Sequence, residues 1–305
     1  SLVGEARRLL FALLVFGPFV LNLLVASDSV RVASINVQNY LLMDRWIDGR
    51  WKRDYPKPEK EKRALRSMIN QVDPDVLLIQ EMGDLPFLNE LWMDLNVTDG
   101  AQFHYSSWMQ GSYEEEERHL AVLSKIPFLS VSKHSDLGFN YFGELTRPSR
   151  GLLELRFSSN QQVWTLFNLH LKSKWTERED DPEANIRREK EARAMRDFIR
   201  RKYPPGTNPL YVVAGDFNDH RNRAALRRFT QVNDTELAWM LPCEDQNRHF
   251  WTHYYAKQDS YARLDYLLIT PAMKKFFRSD SAKIYDGYHT LMASDHRMVY
   301  ADFDF

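Results

Sequence analysis

The chain has 305 residues, of which 44% are hydrophobic and 27% are charged, and its formal net charge is −1. This composition is typical of a folded globular domain and excludes a disordered, collagenous or multi-span membrane protein. The near-zero charge excludes a general electrostatic attraction to nucleic acid, so phosphate binding must come from a local site. Cys243 is the single cysteine, which excludes an intrachain disulfide and a cysteine-cluster metal site. We predict a monomer, with no disulfide-linked partner unless Cys243 itself forms one.

The first 27 residues have the pattern of a secretory signal peptide. Two arginines precede an apolar run over residues 9–26, and Val25-Ala26-Ser27 supplies small residues for a cleavage site. The alternative is an uncleaved N-terminal anchor, because the run approaches the ~20 residues that a membrane span needs. We therefore predict a signal peptide (or anchor) over residues 1–27 and one domain over residues 28–305. We expect export to the periplasm or the medium, with anchoring through residues 9–26 as the alternative.

Short apolar runs alternate with helical periodicity from Val30 onward. The runs predict these buried strands: Val30–Ile35, Asp75–Ile79, Leu120–Leu123, Val163–Leu169, Leu210–Ala214, Leu264–Ile269 and Met298–Phe303. Apolar residues three and four apart predict helices over Glu59–Gln71, Leu85–Leu95 and Ala192–Ile199. Such alternation predicts an α/β fold without an internal repeat.

Chemically active side chains stand at the ends of six of these predicted strands. They are Asn36, Glu81, His170, Asp216 with Asn218, Asp265, and Asp295 with His296. Ligands of open α/β sheets bind at the edge where parallel strands end. Oxygen donors from Asn, Asp and Glu suit Mg²⁺, and an acid–histidine pair suits proton transfer near neutral pH. The sequence therefore predicts a hydrolytic metal site at one sheet edge.

In this order, the strand-end segments resemble the motif set of the endonuclease/exonuclease/phosphatase superfamily, and most closely its deoxyribonuclease-like, secreted bacterial nucleases. The matching segments are Val-Ala-Ser-Ile-Asn36, Leu-Leu-Ile-Gln-Glu81, Asn-Leu-His170, Gly-Asp216-Phe-Asn218, Arg-Leu-Asp265-Tyr and Ser-Asp295-His296. The resemblance implies a four-layer α/β sandwich, with two β-sheets face to face and helices outside. It also implies that the site lies at one edge of the sheets.

The resemblance implies metal ligands and a phosphate-binding region. Glu81 would be the principal metal ligand with Asn36 beside it, and Asp295 would touch a second metal ion. We expect Mg²⁺, with Mn²⁺ or Ca²⁺ as alternatives, because these cations accept oxygen donors. Our candidates for binding the substrate phosphate are Lys172, Lys174, Arg147 and Arg150.

The resemblance also implies the catalytic groups. His296 would be the catalytic imidazole, and Asp265 would select its tautomer through the other ring nitrogen. Asp216 and Asn218 would orient the attacking water and hold a phosphate oxygen. Which of Asp216 and His296 takes the proton from water stays open at this point.

His170 would be a second catalytic imidazole. A lone histidine is more often a buried structural residue, but Lys172 and Lys174 in the same loop favour a phosphate-facing position. Glu117, in the acidic run 114–117, is our candidate for the glutamate that supports His170. The rest of that run is predicted to be a solvated loop.

Two further histidines, His249 and His253, lie four residues apart. This spacing also occurs in zinc sites. No glutamate follows His249, and the residues between the two histidines are typical of a strand, so we predict no zinc site here.

The substrate depends on weaker signals. We predict an exported metal-dependent phosphodiesterase that acts on nucleic acid, because His-Leu-Lys-Ser-Lys and Gly-Asp-Phe-Asn most resemble secreted nucleases. The alternative is a sphingomyelinase-like lipid or small-molecule phosphodiesterase, or a phosphatase, of the same fold. Trp46 and Trp51 in the insert Tyr40–Pro58 suit bases or lipid headgroups, or the insert simply covers a sheet edge. A non-catalytic binding module is disfavoured because it would have lost at least one of the catalytic side chains.

Overall fold

The computed structural model describes residues 29–305, so the predicted signal peptide or anchor lies outside the described residues. The α-helices are α1 (Glu59–Val72), α2 (Leu85–Met93), α3 (Asn185–Lys202), α4 (Ala224–Thr230) and α5 (Thr290–Ala293). The strands are β1 (Ser29–Tyr40), β2 (Met43–Ile47), β3 (Arg50–Tyr55), β4 (Val76–Met82), β5 (Tyr105–Met109), β6 (His119–Ser124), β7 (Ser130–His134), β8 (Phe139–Tyr141), β9 (Glu144–Thr146), β10 (Leu152–Ser159), β11 (Gln162–His170), β12 (Tyr211–Asp216), β13 (Gln231–Val232), β14 (Thr235–Glu236), β15 (Trp239–Met240), β16 (His253–Tyr255), β17 (Ser260–Ala262), β18 (Asp265–Ile269), β19 (Lys283–Ile284) and β20 (Val299–Asp304). A π-helical turn (Asp94–Thr98) continues α2, and short 3₁₀ turns cover Ala256–Gln258 and Pro271–Lys275.

Two six-stranded mixed sheets form the centre of the molecule, with strand orders β19-β20-β1-β4-β6-β5 and β15-β18-β12-β11-β10-β7. Both sheets have the same pairing pattern, because each has one parallel pair at its centre and antiparallel pairs on either side. The predicted α/β sandwich is confirmed. The shared pairing pattern of the two sheets was not predicted from the sequence.

Three apolar clusters hold the layers together. Val32, Leu78 and Trp164 belong to the cluster between the sheets. The second cluster packs α1 and α2 on the outer face of the first sheet, and the third packs α3 and α4 on the outer face of the second sheet. Alternation along β1 explains this sharing, since Val32 joins the inner cluster while Ala33 joins the helix-facing one.

The parallel strands β1, β4, β11 and β12 all end at one edge of the sandwich, which we call the site edge. The antiparallel strands β6, β10, β18 and β20 begin there, as the pairing of Asp216 with Asp265 illustrates. Side chains at the start of one strand and at the end of its neighbour therefore meet. All seven predicted strands are present, while β5, β7, β10, β15 and β19 of the two large sheets were not predicted.

Three short hairpins also project at the site edge: β2–β3, β8–β9 and β16–β17. The first occupies the insert that follows β1. Among residues 29–305, no helix is both long and apolar enough to cross a membrane.

Candidate active site

Asn36 connects the two sheets at the centre of the site. Its amide nitrogen donates to Glu81 Oε1 on β4 (3.1 Å) and to Asp216 Oδ2 on β12 (3.0 Å). Its amide oxygen accepts the backbone N–H of Gln38 at 2.9 Å, which determines the orientation of the amide. Asn36 was predicted as a metal ligand beside Glu81. In this structure its oxygen is instead turned to the backbone, and its nitrogen holds two carboxylates together.

A second polar link lies one layer below, between the same sheets. Gln80 donates to the side-chain oxygen of Asn168 at 2.8 Å, and Asn168 donates to the carbonyls of Ile79 and Ala121. Gln80 and Asn168 are fully buried. Because buried amides are expensive to leave unpaired, this network fixes the relative position of β4 and β11 below Glu81 and His170.

Four non-glycine residues at the site have left-handed backbone conformations: Gln38, Asn39, Glu81 and Asn218, with φ between 48° and 61°. Each costs on the order of 1 kcal/mol or more, and such residues cluster at functional sites. At Asn39 the left-handed conformation accompanies a hydrogen bond to the metal-ligand candidate Glu81. Its backbone N–H donates to Glu81 Oε2 at 2.9 Å, so both carboxylate oxygens of Glu81 are oriented.

His296 and Asp265 form the predicted acid–histidine pair. Asp265 Oδ2 lies 2.8 Å from His296 Nδ1, and both side chains are buried. Thr252 Oγ1 accepts the backbone N–H of Asp265, which fixes the backbone at the start of β18. Burial alone would lower the pKa of His296, but the charges of Asp265 and Asp216 outweigh it and raise the pKa well above the usual value. The raised pKa favours the positively charged ring, with a proton on each nitrogen. Its Nε2 lies 3.7 Å from Asp216 Oδ2.

Burial raises the pKa of Asp216 to about 7, against the opposing effect of the His296 charge. Its Oδ1 accepts the backbone N–H of Asn218 at 2.8 Å, and the amide of Asn218 donates to the Leu171 carbonyl at 3.0 Å. Asn218 thus joins the loop after β12 to the loop after β11. The structure brings Asp216 and Asn218 to the site as the sequence predicted.

His170 approaches the same carboxylates from β11. Its Nε2 lies 3.4 Å from Asp216 Oδ2 and 3.9 Å from Glu81 Oε1. Burial, followed by the charge of Arg150, holds its pKa well below the usual value, so the ring is neutral. Its Nδ1 has no hydrogen-bond partner within residues 29–305.

The glutamate support predicted for His170 is not found where the sequence placed it. Glu117 is exposed, and the structure shows no contact between it and His170. The neighbouring Glu116 points inward instead and forms an ion pair with Arg150 at 3.2 Å. In a run of four consecutive glutamates, the sequence does not indicate which side chain points inward.

Basic side chains surround His170. Arg150 is 8% exposed, and its Nη1 has no hydrogen-bond partner in the described chain. Lys172 follows His170 in the same loop, and burial, followed by the charge of Arg150, lowers its pKa to about 8. Arg118, which sequence reasoning missed, donates to Asn39 Oδ1 at 2.8 Å, and its charge also lowers the pKa of His170.

The other two predicted phosphate-binding residues lie elsewhere. Lys174 has a half-exposed side chain and pairs with Glu183 at 3.9 Å. Arg147 is exposed on the rim of the site, and its backbone, not its side chain, is bonded to Tyr113. Arg150 therefore lies beside His170, and the Lys172 ammonium stays in the loop after β11, where it donates to the carbonyls of Ser173 and Trp175. Lys174 and Arg147 do not face the catalytic groups.

Helix α3 positions the loop that follows His170. Glu191, fully buried, accepts the backbone N–H of Lys172 at 2.9 Å. Arg188, also fully buried, donates to the Lys172 carbonyl at 2.9 Å. Sequence reasoning missed both residues, because charged positions in a helix are ordinarily interpreted as solvent-exposed.

Asp295 lies beside His296 with a partner that was not predicted. His253 Nε2 is 3.7 Å from Asp295 Oδ2, and the His253 ring is 4.6 Å from the His296 ring. His249 pairs instead with Asp245 at 3.4 Å. The two histidines thus contact different acids and do not converge on one site.

Glu81 fits the role of a magnesium ligand. Its side chain is 17% exposed, while those of Asp216 and Asp265 are almost fully buried. Each of its oxygens accepts one N–H and keeps a lone pair for a cation. Mg²⁺ is commonly held by one or two carboxylates, with water and substrate phosphate as the remaining ligands. Glu81 would therefore bind the ion, and Asp295 lies farther along the same edge beside His253.

A two-sheet sandwich with paired carboxylates, an acid–histidine pair and a basic pocket defines a phosphoester-hydrolase type of site. The sequence profile described as "Endonuclease/Exonuclease/phosphatase family" matches residues 33–296, and the chain belongs to that family. No curated protein matches the chain.

Solved structures of this fold include a family protein from Leptotrichia buccalis, with a TM-score of 0.63, 16% identity, and coverage of 90% of this chain and 100% of that one. The human Nocturnin catalytic domain with bound sulfate aligns with a TM-score of 0.59, 15% identity, and coverage of 92% and 95%. A Staphylococcus aureus beta toxin variant with bound magnesium ions aligns with a TM-score of 0.59, 16% identity, and coverage of 91% and 100%.

Proposed function

We propose that this protein is a Mg²⁺-dependent phosphodiesterase that hydrolyses nucleic acid. The observation that carries the proposal is the buried guanidinium of Arg150 beside His170, which pairs with Glu116 but leaves Nη1 without a partner among residues 29–305. A buried cation without a full set of acceptors is costly to a folded chain unless an anion completes it. A phosphate group supplies that anion, and Arg binds phosphate through two parallel N–H donors.

The catalytic groups divide the work of in-line hydrolysis. Asp216 accepts the proton of the attacking water, because its Oδ2 is the atom on which both imidazoles converge. His296, held at Nδ1 by Asp265, donates the proton on its Nε2 to the leaving oxygen. Arg150 and Lys172 stabilise the negative charge that builds on the phosphate oxygens. A Mg²⁺ ion on Glu81 would supply Lewis-acid polarisation of one of those oxygens.

Exposed aromatic side chains at the site edge support a polymeric substrate. They lie in segments that flank the catalytic strands: Trp46, Trp51, Phe142, Trp175, Phe250, Tyr255, Tyr261 and Tyr288. Within the described chain, the exposed aromatic at the opposite edge is Tyr105, at the start of β5. A site for a small phosphomonoester needs no exposed aromatic residues around it. Aromatic faces next to basic groups are typical of sites that stack nucleobases.

A substrate panel tests the proposal. The protein is incubated with Mg²⁺ and, separately, single-stranded DNA, RNA, duplex DNA, sphingomyelin vesicles and a phosphomonoester, with Glu81→Gln as the matched control. We expect cleavage of nucleic acid that is absent in the control and in excess chelator. Cleavage of sphingomyelin without cleavage of any nucleic acid would show that the protein is a lipid phosphodiesterase.

We also propose that the protein is exported and acts as a monomer. The arginine-led apolar run over residues 9–26 supports export. Mass spectrometry of the protein from the periplasm and the medium should find a mature N-terminus near residue 28. Recovery of the uncleaved chain in the membrane fraction would indicate the anchor instead, and sedimentation analysis would report the oligomeric state.

A further inference from the structure

The β2–β3 hairpin exposes a pair of tryptophans. Trp46 and Trp51 are directly opposite in the strand register, and their rings meet edge to face with centroids 5.6 Å apart. They are 60% and 69% exposed, although tryptophan is normally among the most buried side chains. Leaving two indoles in water forfeits the stabilisation that burial would provide, which indicates that the pair has a binding role.

Alternation along the hairpin separates its two faces. Asp44, Trp46, Trp51 and Arg53 are exposed, while Arg45, Ile47, Lys52 and Tyr55 are half-buried. The half-buried face is therefore turned toward the body of the protein. The exposed face presents two aromatic rings flanked by the charged side chains of Asp44 and Arg53, and the paired indoles suit a flat, aromatic partner.

The base of the hairpin is bonded to the segment that orients the metal ligand. Arg45 donates to the carbonyls of Asn39 (2.6 Å) and Tyr55 (3.1 Å). The fully buried Lys57 donates to the Gln38 carbonyl at 3.3 Å. Since the N–H of Asn39 binds Glu81, the hairpin has a fixed position relative to the reacting centre.

We propose that Trp46 and Trp51 form a stacking platform for unpaired nucleobases, so that the substrate class is single-stranded nucleic acid or the frayed end of a duplex. This inference rests on the proposed function. In duplex nucleic acid the faces of the bases are covered by their neighbours, so an aromatic platform can stack only on bases that are unstacked.

The tip of the hairpin argues against insertion into a bilayer. Asp48, Gly49 and Arg50 lie beyond the two tryptophans, and the Asp48 side chain is 85% exposed. Placing the indoles at the membrane interface would push these charged tip residues deeper into the apolar region, which is strongly unfavourable. Base stacking on the face of the hairpin leaves the tip in water.

Binding measurements test the proposal in a His296→Ala background, which prevents cleavage. Fluorescence anisotropy with a labelled single-stranded oligonucleotide should show roughly ten- to hundredfold weaker binding for Trp46→Ala/Trp51→Ala. Trp46→Phe/Trp51→Phe should keep most of the affinity, because phenylalanine also stacks, but should lose part of the oligonucleotide-induced quenching of tryptophan fluorescence. Tyr105→Ala, which alters an exposed aromatic at the opposite edge, is the matched control and should change neither quantity.

Cleavage of a small aryl phosphodiester by otherwise active variants reports whether the site remains intact. Trp46→Ala/Trp51→Ala should still cleave the aryl phosphodiester while losing activity on the oligonucleotide. Unchanged oligonucleotide affinity in the Trp46→Ala/Trp51→Ala variant would overturn this inference but not the proposed function. The same holds if this variant loses binding to anionic vesicles while its binding to the oligonucleotide is unchanged. A wild-type protein that binds no nucleic acid would overturn the proposed function and the inference with it.

Discussion

Arg150 offers the most direct test of how the site binds phosphate. Arg150 is 8% exposed, its ion-pair partner among residues 29–305 is Glu116, and its Nη1 has no hydrogen-bond partner there. Removing one preorganised donor to a transition-state oxyanion typically costs about 10²–10³ in rate, or about 2.7–4 kcal/mol. We therefore expect Arg150→Ala to lower kcat/KM on a phosphodiester by that factor. Arg150→Lys should recover only part of the loss, because an ammonium cannot form the same two parallel bonds.

The assay is initial-rate hydrolysis at low substrate concentration, with urea unfolding measured in parallel. Arg147→Ala is the control, since Arg147 is a nearby but exposed arginine and should change kcat/KM little. Arg150→Ala also leaves Glu116 without its partner, which should cost about 1–3 kcal/mol of folding free energy. Adding Glu116→Gln should restore stability but not activity. Arg150→Ala with wild-type kcat/KM would refute our placement of the phosphate.

Three further outcomes are expected at the site. Glu81→Gln should abolish Mg²⁺ binding in calorimetric titration and lower the free energy of unfolding by about 1–3 kcal/mol, because an NH2 group replaces an oxygen that accepts the N–H of Asn36 or Asn39. Asp265→Asn should lower kcat a thousandfold or more, since His296 loses its oriented partner, and a loss below tenfold would contradict this role. Because the pKa of Lys172 is lowered to about 8, its cationic form dominates below that pH, and substrate affinity should fall as pH rises through 8. Lys172→Arg should remove that pH dependence in binding titrations, whereas an unchanged profile would exclude Lys172 from the phosphate site.

Local patterns in the sequence were sufficient for the fold class and for most of the site. Each catalytic side chain lies at or next to the end of a strand whose apolar run is recognisable in the sequence, as with His170 at the end of β11 and Asp265 at the start of β18. Strand ends meet at one edge once the strands pair. The order of such motifs therefore predicted which side chains come together without any knowledge of their distances. The strand β10 was not predicted, because its buried Glu154 interrupts the apolar pattern while pairing with His134 and Lys202.

Tertiary structure alone decided which way individual side chains turn and which charges they carry. The sequence could not distinguish Glu116 from Glu117, since only the path of the loop turns Glu116 toward Arg150. It could not show that the amide of Asn36 faces two carboxylates, because the orientation depends on the left-handed turn at Gln38. The opposite pKa shifts of His170 and His296 also depend on tertiary structure, because burial and then the charge of Arg150 lower the pKa of His170, whereas the charges of Asp265 and Asp216 outweigh burial and raise that of His296. Residue types and their order are encoded locally, whereas orientation and protonation depend on partners that are distant in the chain and become neighbours only when the two sheets pack.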